Sequence, residues 1–128
     1  MEGMRTGARQ PESFPRRYRL GGNKNYRYVY RRGKSYPSRY LVLIHLKGRD
    51  LRIGFSVSRK VGKAVTRNRI RRYLREDVRR LRTQMKCGKY VFVARQGIAD
   101  APHEAITREV RKLLSRANLL KEDMSCAR

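Results

Sequence analysis

Apolar and polar positions along this chain repeat in two periods, and the switches between them mark out six elements. From Asn23 the pattern is helical: Tyr26, Val29 and Tyr30 share a face, and Gly33 follows where a helix would stop. Residues 39–46 are β-branched and apolar with polar groups only near the ends, as in a strand buried on both faces. Leu51, Ile53, Phe55 and Val57 then alternate with Arg52, Gly54, Ser56 and Ser58, which predicts a strand with one polar face. Residues 47–50 read as a hairpin connection between these two strands. The helical period returns over residues 65–85. There Ile70, Leu74, Val78, Leu81 and Met85 form one stripe, and Asn68, Arg72, Arg75, Arg79 and Arg82 occupy the opposite side. Asp77 falls inside the apolar stripe, and nothing in the sequence accounts for it. Residues 90–94 predict another buried strand. A last helix follows, capped by Asp100, with Pro102 in its first turn and Ile106, Val110, Leu113, Leu114 and Ala117 facing inward.

Helix, strand, strand, helix, strand, helix in that order predicts an α+β fold, one small sheet with helices packed on it. The helix over 65–85 joins a strand to a candidate parallel neighbour. Residues 1–16 are rich in Gly, Pro, Ser and Arg without a period and read as a flexible basic tail. Residues 17–120 then make a single domain, and 121–128 a frayed end.

Charge changes the picture from fold to partner. The chain carries 34 basic and 10 acidic side chains, a net +24, and arginine supplies 25 of the bases. Such an excess repels itself unless a polyanion is near, and arginine's planar fork suits bidentate phosphate contacts. Nucleic acid fits better than membrane, because a membrane-surface helix needs large apolar residues opposite its basic face. Leu, Ile, Val and Phe number 28 of 128 residues, close to the roughly 20% below which chains stay disordered. The core is therefore modest. Cys87 and Cys126 lack metal-ligand spacing and read as two reduced thiols. No apolar stretch near the start suggests a secretory signal, and the run over 40–46 is too short to span a bilayer, so a cytoplasmic protein is expected.

The bases concentrate. Eleven lie between Arg59 and Arg82, against only Glu76 and Asp77. A solvated helix face would interleave acids three or four positions away; here like charges meet instead, which points to contact with a phosphate backbone. Ahead of the long helix stands Ser58-Arg59-Lys60-Val61-Gly62-Lys63, a basic turn opening onto a helix N-terminus, an arrangement that attracts anions. The spacing of a Walker loop is absent, so nucleotide hydrolysis is not supported. Six of the eight tyrosines lie between Tyr18 and Tyr40. Tyr26 and Tyr30, flanked by Arg27, Arg31 and Arg32, read either as core or as a stacking platform for unpaired bases.

The stretch over 52–76, RIGFSVSRKVGKAVTRNRIRRYLRE, resembles the protein subunit of bacterial ribonuclease P. Its hallmark is the triplet Arg67-Asn68-Arg69 after a strand that ends in Ser-x-Ser-basic-Lys. Tyr18-Arg19-Leu20, the N-x-x-aromatic-x-x-V-aromatic helix, the Tyr-Val-Phe-Val-Ala-Arg strand and the Leu-rich last helix extend the similarity over about residues 16–120. The resemblance implies a small mixed sheet with packed helices and a left-handed strand–helix–strand crossover (ribosomal protein S5 domain 2-like), although such crossovers are otherwise right-handed in about 98% of cases. It implies that the RNA subunit is the ribozyme, with magnesium held mainly by RNA, and that this chain has no catalytic residue, protein-bound metal or small-molecule cofactor. The implied partners are the catalytic RNA and the 5′ leader of precursor tRNA. The implied RNA-binding residues are Arg59, Lys60, Lys63, Arg67, Asn68 and Arg69, with Arg72 and Arg75 of the basic face, and the leader-side aromatics are Tyr26 and Tyr30. Family members often carry phenylalanine where this chain has those tyrosines, and Ile44 stands where some relatives have an aromatic.

Two other functions compete with this one. A protein-only nuclease needs clustered carboxylates or an acid–base pair, whereas His45 and His103 lie far apart and the acids form no metal motif. A ribosomal or architectural RNA-binding protein is compatible with the composition, because positive charge reads the backbone and carries little sequence information.

Overall fold

The structure is a computed structural model and describes residues 16–120. The expected frayed end at 121–128 and all of the expected tail except Arg16 lie outside the described residues; Arg16 opens a 3₁₀ turn, Arg16–Tyr18. Three helices, α1 (Asn23–Arg32), α2 (Ala64–Leu81) and α3 (His103–Arg116), pack on four strands. The strands are β1 (Lys34–Pro37), β2 (Leu41–Leu46), β3 (Leu51–Ser56) and β4 (Gly88–Ala94), arranged in the order β1-β2-β4-β3. Strand β2 runs antiparallel to both β1 and β4, while β3 and β4 are parallel. The sheet is therefore mixed, and α2 makes the crossover between its parallel pair, as the α+β reading expects.

The strand patterns follow from this order. The central strands β2 and β4 are covered on both faces, which is why their sequences are apolar except for His45 and Lys89 near their ends. Leu41, Leu43, Ile53, Tyr90 and Phe92 join Ile70, Leu74, Val78, Ile106, Val110 and Leu114 in the main core, under α2 and α3. On the opposite face, Ile44 and Val91 meet Leu20 and, from α1, Val29 in a much smaller cluster. Gly33 ends α1 because of close approach: a Cβ there would lie 2.6 Å from the Val29 carbonyl and 2.8 Å from Ile44.

Four local expectations are corrected. Residues 47–50 do not form a hairpin between paired strands, because β4 inserts between β2 and β3 and the connection passes over its start, where Asp50 accepts from the Gly88 N–H at 3.2 Å. The hairpin partner of β2 is instead β1, whose sequence KSYP has no apolar period and makes it an edge strand. Asp100 does not cap the last helix; it ends a 3₁₀ turn, Gln96–Asp100, and Pro102 occupies the cap. Cys87 is not a reduced thiol but disulfide-bonded; Cys126 lies outside the described residues. The long helix also tightens after Leu81 into a 3₁₀ turn, Arg82–Gln84, and Met85 beyond it stays buried.

Candidate nucleic-acid interface

Strand alternation puts Arg52, Gly54 and Ser56 of β3 on the face that carries α1. Tyr26 lies across this strand, and its ring occupies the space that a Cβ at Gly54 would need. Strand β3 is an edge, so its outer backbone groups need partners. The Phe55 N–H donates to the Tyr26 hydroxyl at 3.2 Å, and the Leu20 N–H donates to the Ile53 carbonyl at 2.8 Å. Partial burial pushes the Tyr26 phenol pKa up, with the Phe55 N–H opposing. One helical turn on, Tyr30 is 44% exposed and meets Tyr26 edge-on, ring centroids 6.4 Å apart. The two tyrosines look alike in sequence but differ in place: Tyr26 is a wedge that fixes the helix against the strand, and Tyr30 presents an open ring. Asn23, Arg27, Phe55 and Ser56 complete a cavity of about 410 Å³ with them.

Beyond Ser56 the chain enters the basic turn. The Ser58 hydroxyl accepts from the Lys60 N–H at 3.3 Å and starts a 3₁₀ turn, Arg59–Val61. Helix α2 then opens with Lys63 at its cap and no acid in its first turn, leaving the positive end of the helix dipole uncompensated. The triplet arginines are anchored by single hydrogen bonds: Arg67 Nε–H to the Gly62 carbonyl at 3.0 Å and Arg69 Nη2 to the Ala99 carbonyl at 2.8 Å. Each guanidinium has five N–H donors, so most remain available for an outside acceptor while the side chain is already oriented. Asn68 is exposed and accepts from Arg71 at 3.1 Å. Among the described residues, Glu76 pairs with Arg80 at 2.7 Å and Arg79 at 3.9 Å. None of Arg59, Lys60, Lys63, Arg67, Arg69, Arg72 or Arg75 makes a salt bridge within the described residues. Among the described residues, the ridge is therefore not masked by acids.

Beside the groove, Arg71 and Arg75 of α2 line a cavity of about 140 Å³ with Arg19, Tyr26 and Phe55, the last two shared with the groove. The Arg75 pKa is pushed down, first by partial burial and then by the like charges of Arg19 and Arg71. Cations crowded this closely are relieved by an anion. Arg72, by contrast, sits over the Tyr73 ring at 6.0 Å, outside this cavity. The sequence pattern alone does not single out Arg71 or Phe55, which both line this cavity. The spacing of Arg67, Arg71 and Arg75, four apart along one line of a helix, was the available signal for the first. Phe55 alternates like a core residue, and it does stack on Phe92 at 6.0 Å, yet it is only half-buried.

Asp77 and His103 turn out to belong together. The buried Asp77 carboxylate accepts from Thr107 Oγ1 at 2.7 Å and His103 Nε2 at 2.9 Å, and His103 stacks on Tyr73 at 4.3 Å. Burial raises the Asp77 pKa above 3.8, with Thr107 and His103 opposing. This pair ties α2 to α3, on the side of the sheet opposite α1. His45, packed on Tyr90 at 4.6 Å, is a separate half-buried ring. Among the described residues there is no group of three or more His, Cys, Asp or Glu placed to hold a metal ion.

With this geometry in place, comparison with known proteins gives one consistent family. The family model for Ribonuclease P matches residues 14–118. A ribonuclease P protein component from Clostridium botulinum is 46% identical over 101 residues, covering 76% of this chain and 91% of the relative. One from Nitratiruptor is 42% identical over 97 residues, covering 76% and 89%. Among solved structures, the RNase P protein of Staphylococcus aureus superimposes with a TM-score of 0.77 at 28% identity, covering 81% of this chain and 98% of that one. The RNase P protein of Thermotoga maritima gives 0.70 at 28% identity, covering 77% and 96%.

Proposed function

The chain belongs to the ribonuclease P protein family, and from that premise we propose how its surfaces divide the work of the enzyme. It is the RNA-binding protein subunit of ribonuclease P, the endonuclease that matures the 5′ end of tRNA. A ribosomal or architectural role is not favoured. The ridge of Arg59, Lys60, Lys63, Arg67, Asn68, Arg69 and Arg72 docks on the catalytic RNA. The groove of Tyr26, Tyr30, Phe55 and Ser56 takes the single-stranded 5′ leader of precursor tRNA, and Arg71 and Arg75 hold phosphate beside the groove. The particle works in the cytoplasm, where bacterial precursor tRNA is transcribed.

One observation carries this division: the open aromatic groove adjoins, through Tyr26 and Phe55, a small cavity walled by Arg71 and Arg75 of the helix that bears the arginine ridge. Phosphates displace counterions along such a surface, and a base stacks on an exposed ring such as Tyr30 without sequence preference. The groove has no carboxylate, so its residues do not fit a resident divalent cation. Magnesium and the hydrolytic step are assigned to the RNA. The protein's contribution is to hold the leader and the ribozyme in fixed relation while neutralising their charge.

The test is reconstitution with ribonuclease P RNA at low magnesium, with and without the protein. Binding is measured for precursor tRNA and for mature tRNA. The protein should raise affinity for the leader-bearing form more than for the mature form. An equal gain for both would overturn the leader assignment.

A further inference from the structure

The face that carries α1 has a second concavity that the leader groove does not use. It lies at the opposite end of β3 and measures about 650 Å³. Its walls bring together Asn25 and Tyr28 of α1, Lys47 and Arg49 of the β2–β3 connection, Arg52 of β3 and Lys89 of β4. Asp50 is the one acid among its lining residues, 4.0 Å from Arg52. Tyr28 is 41% exposed, with the Lys89 ammonium 5.4 Å and the Arg32 guanidinium 5.9 Å from its ring centroid. An exposed aromatic ring held among cations inside a concavity is the combination that takes a stacked base with its phosphates.

This basin and the groove both adjoin the small cavity at the edge of β3. The groove shares Tyr26 and Phe55 with the small cavity at Arg71 and Arg75, and that cavity shares Arg19 and Leu20 with the basin. From Ser56 at the groove to Arg52 at the basin is four residues of strand, about 13 Å. The Ser56 end leads directly into the basic turn at Arg59, the part assigned to the catalytic RNA. Nucleotides nearest the cut therefore belong at Ser56, and those further upstream belong in the basin.

We propose that the basin beneath Tyr28 is a second single-stranded-RNA subsite, which takes an upstream leader nucleotide with its base on Tyr28 and its phosphates on Lys47, Arg49 and Lys89. The proposal rests on the leader assignment made above.

The experiment uses reconstituted holoenzyme and precursor tRNAs whose leaders are shortened one nucleotide at a time, with the wild-type, Tyr28→Ala and Lys89→Ala proteins. Melting temperatures and affinity for the RNA subunit are measured alongside. In the wild type, affinity should rise with leader length beyond the point where the groove is filled. Tyr28→Ala should cost about tenfold in affinity on the longest leaders, with the loss shrinking as the leader is shortened. Lys89→Ala should show the same length dependence and a shallower salt dependence. Loss of the same size at every length, weakened assembly with the RNA subunit, or no loss at any length would each overturn the basin. If the wild type itself showed no leader preference, the groove assignment would fall as well. A preserved preference with Tyr28→Ala indistinguishable from wild type would remove the basin alone.

Discussion

The two faces of the sheet are built from the same strands and differ in almost every other respect. Under α2 and α3 lies a core of more than twenty buried residues, with Tyr90 and Phe92 at its centre and one charged group, Asp77, hydrogen-bonded twice. Under α1, among the described residues, only Leu20, Val29, Ile44 and Val91 form a buried cluster, and the periphery is aromatic and basic. A chain with so few large apolar residues cannot close both faces. It concentrates burial on one and leaves the other half-open, with a single helix held down by Val29 and by the wedge of Tyr26 on Gly54. In the proposed division of work, the open face accommodates a flexible polyanion and the closed face keeps that surface in shape.

Substitutions that separate stability from binding sharpen this contrast. The largest effect is expected on the closed face: Phe92→Ala should cost about 3–5 kcal/mol of folding stability by leaving a cavity. Denaturant unfolding checks this, and a change below 1 kcal/mol, roughly the loss of one methylene, would show the core to be loose. Asp77→Ala should cost about 1–3 kcal/mol by stranding two donors. Asp77→Asn keeps an acceptor for both and isolates the charge. Because burial raises the Asp77 pKa above 3.8, the folded state holds that proton more tightly than the unfolded chain does. The stability this contributes is full below about pH 3.8 and is lost as pH rises through the raised value. Wild-type stability measured against the Asn variant should therefore decline as pH climbs through that window; a rise would mean that the carboxylate is held as a net ion pair.

On the open face the order reverses. Tyr30→Ala should leave stability within about 0.5 kcal/mol and weaken leader binding by about 1–3 kcal/mol, read from the affinities for precursor and mature tRNA. Equal loss on both RNAs would remove Tyr30 from the leader groove. Smallest is Tyr26→Phe, which keeps the ring and strands only the Phe55 N–H: about 1 kcal/mol of stability, with hydrogen exchange at Phe55 accelerated. Unchanged exchange there would mean that the hydroxyl does not hold the strand edge.

The closed face was largely legible in the sequence, the open face only in part. Apolar runs at 41–46 and 90–94 and the stripe from Ile70 to Met85 announce burial because each position repeats with the period of its element. Strand β1 was not legible, since Lys34-Ser35-Tyr36-Pro37 is an edge that owes its form to pairing with β2. Nor was the true neighbour of β3, because β4 arrives only after α2 and no local pattern at 47–50 reveals it. Helical spacing groups Tyr26 and Tyr30 together. What distinguishes them, a strand edge beneath one and solvent over the other, is a tertiary property. Asp77 was visible as an anomaly, but its partners lie 26 and 30 residues away.

The central claim is that the two faces have different duties, and localising the leader tests it most directly. Precursor tRNA carrying a photoreactive nucleotide in its leader would be bound by the reconstituted holoenzyme, irradiated, and the attached peptides sequenced. Attachment should map to α1 around Tyr30 and to Phe55 and Ser56 of β3. Attachment chiefly to α3, across the sheet from α1, would contradict the account.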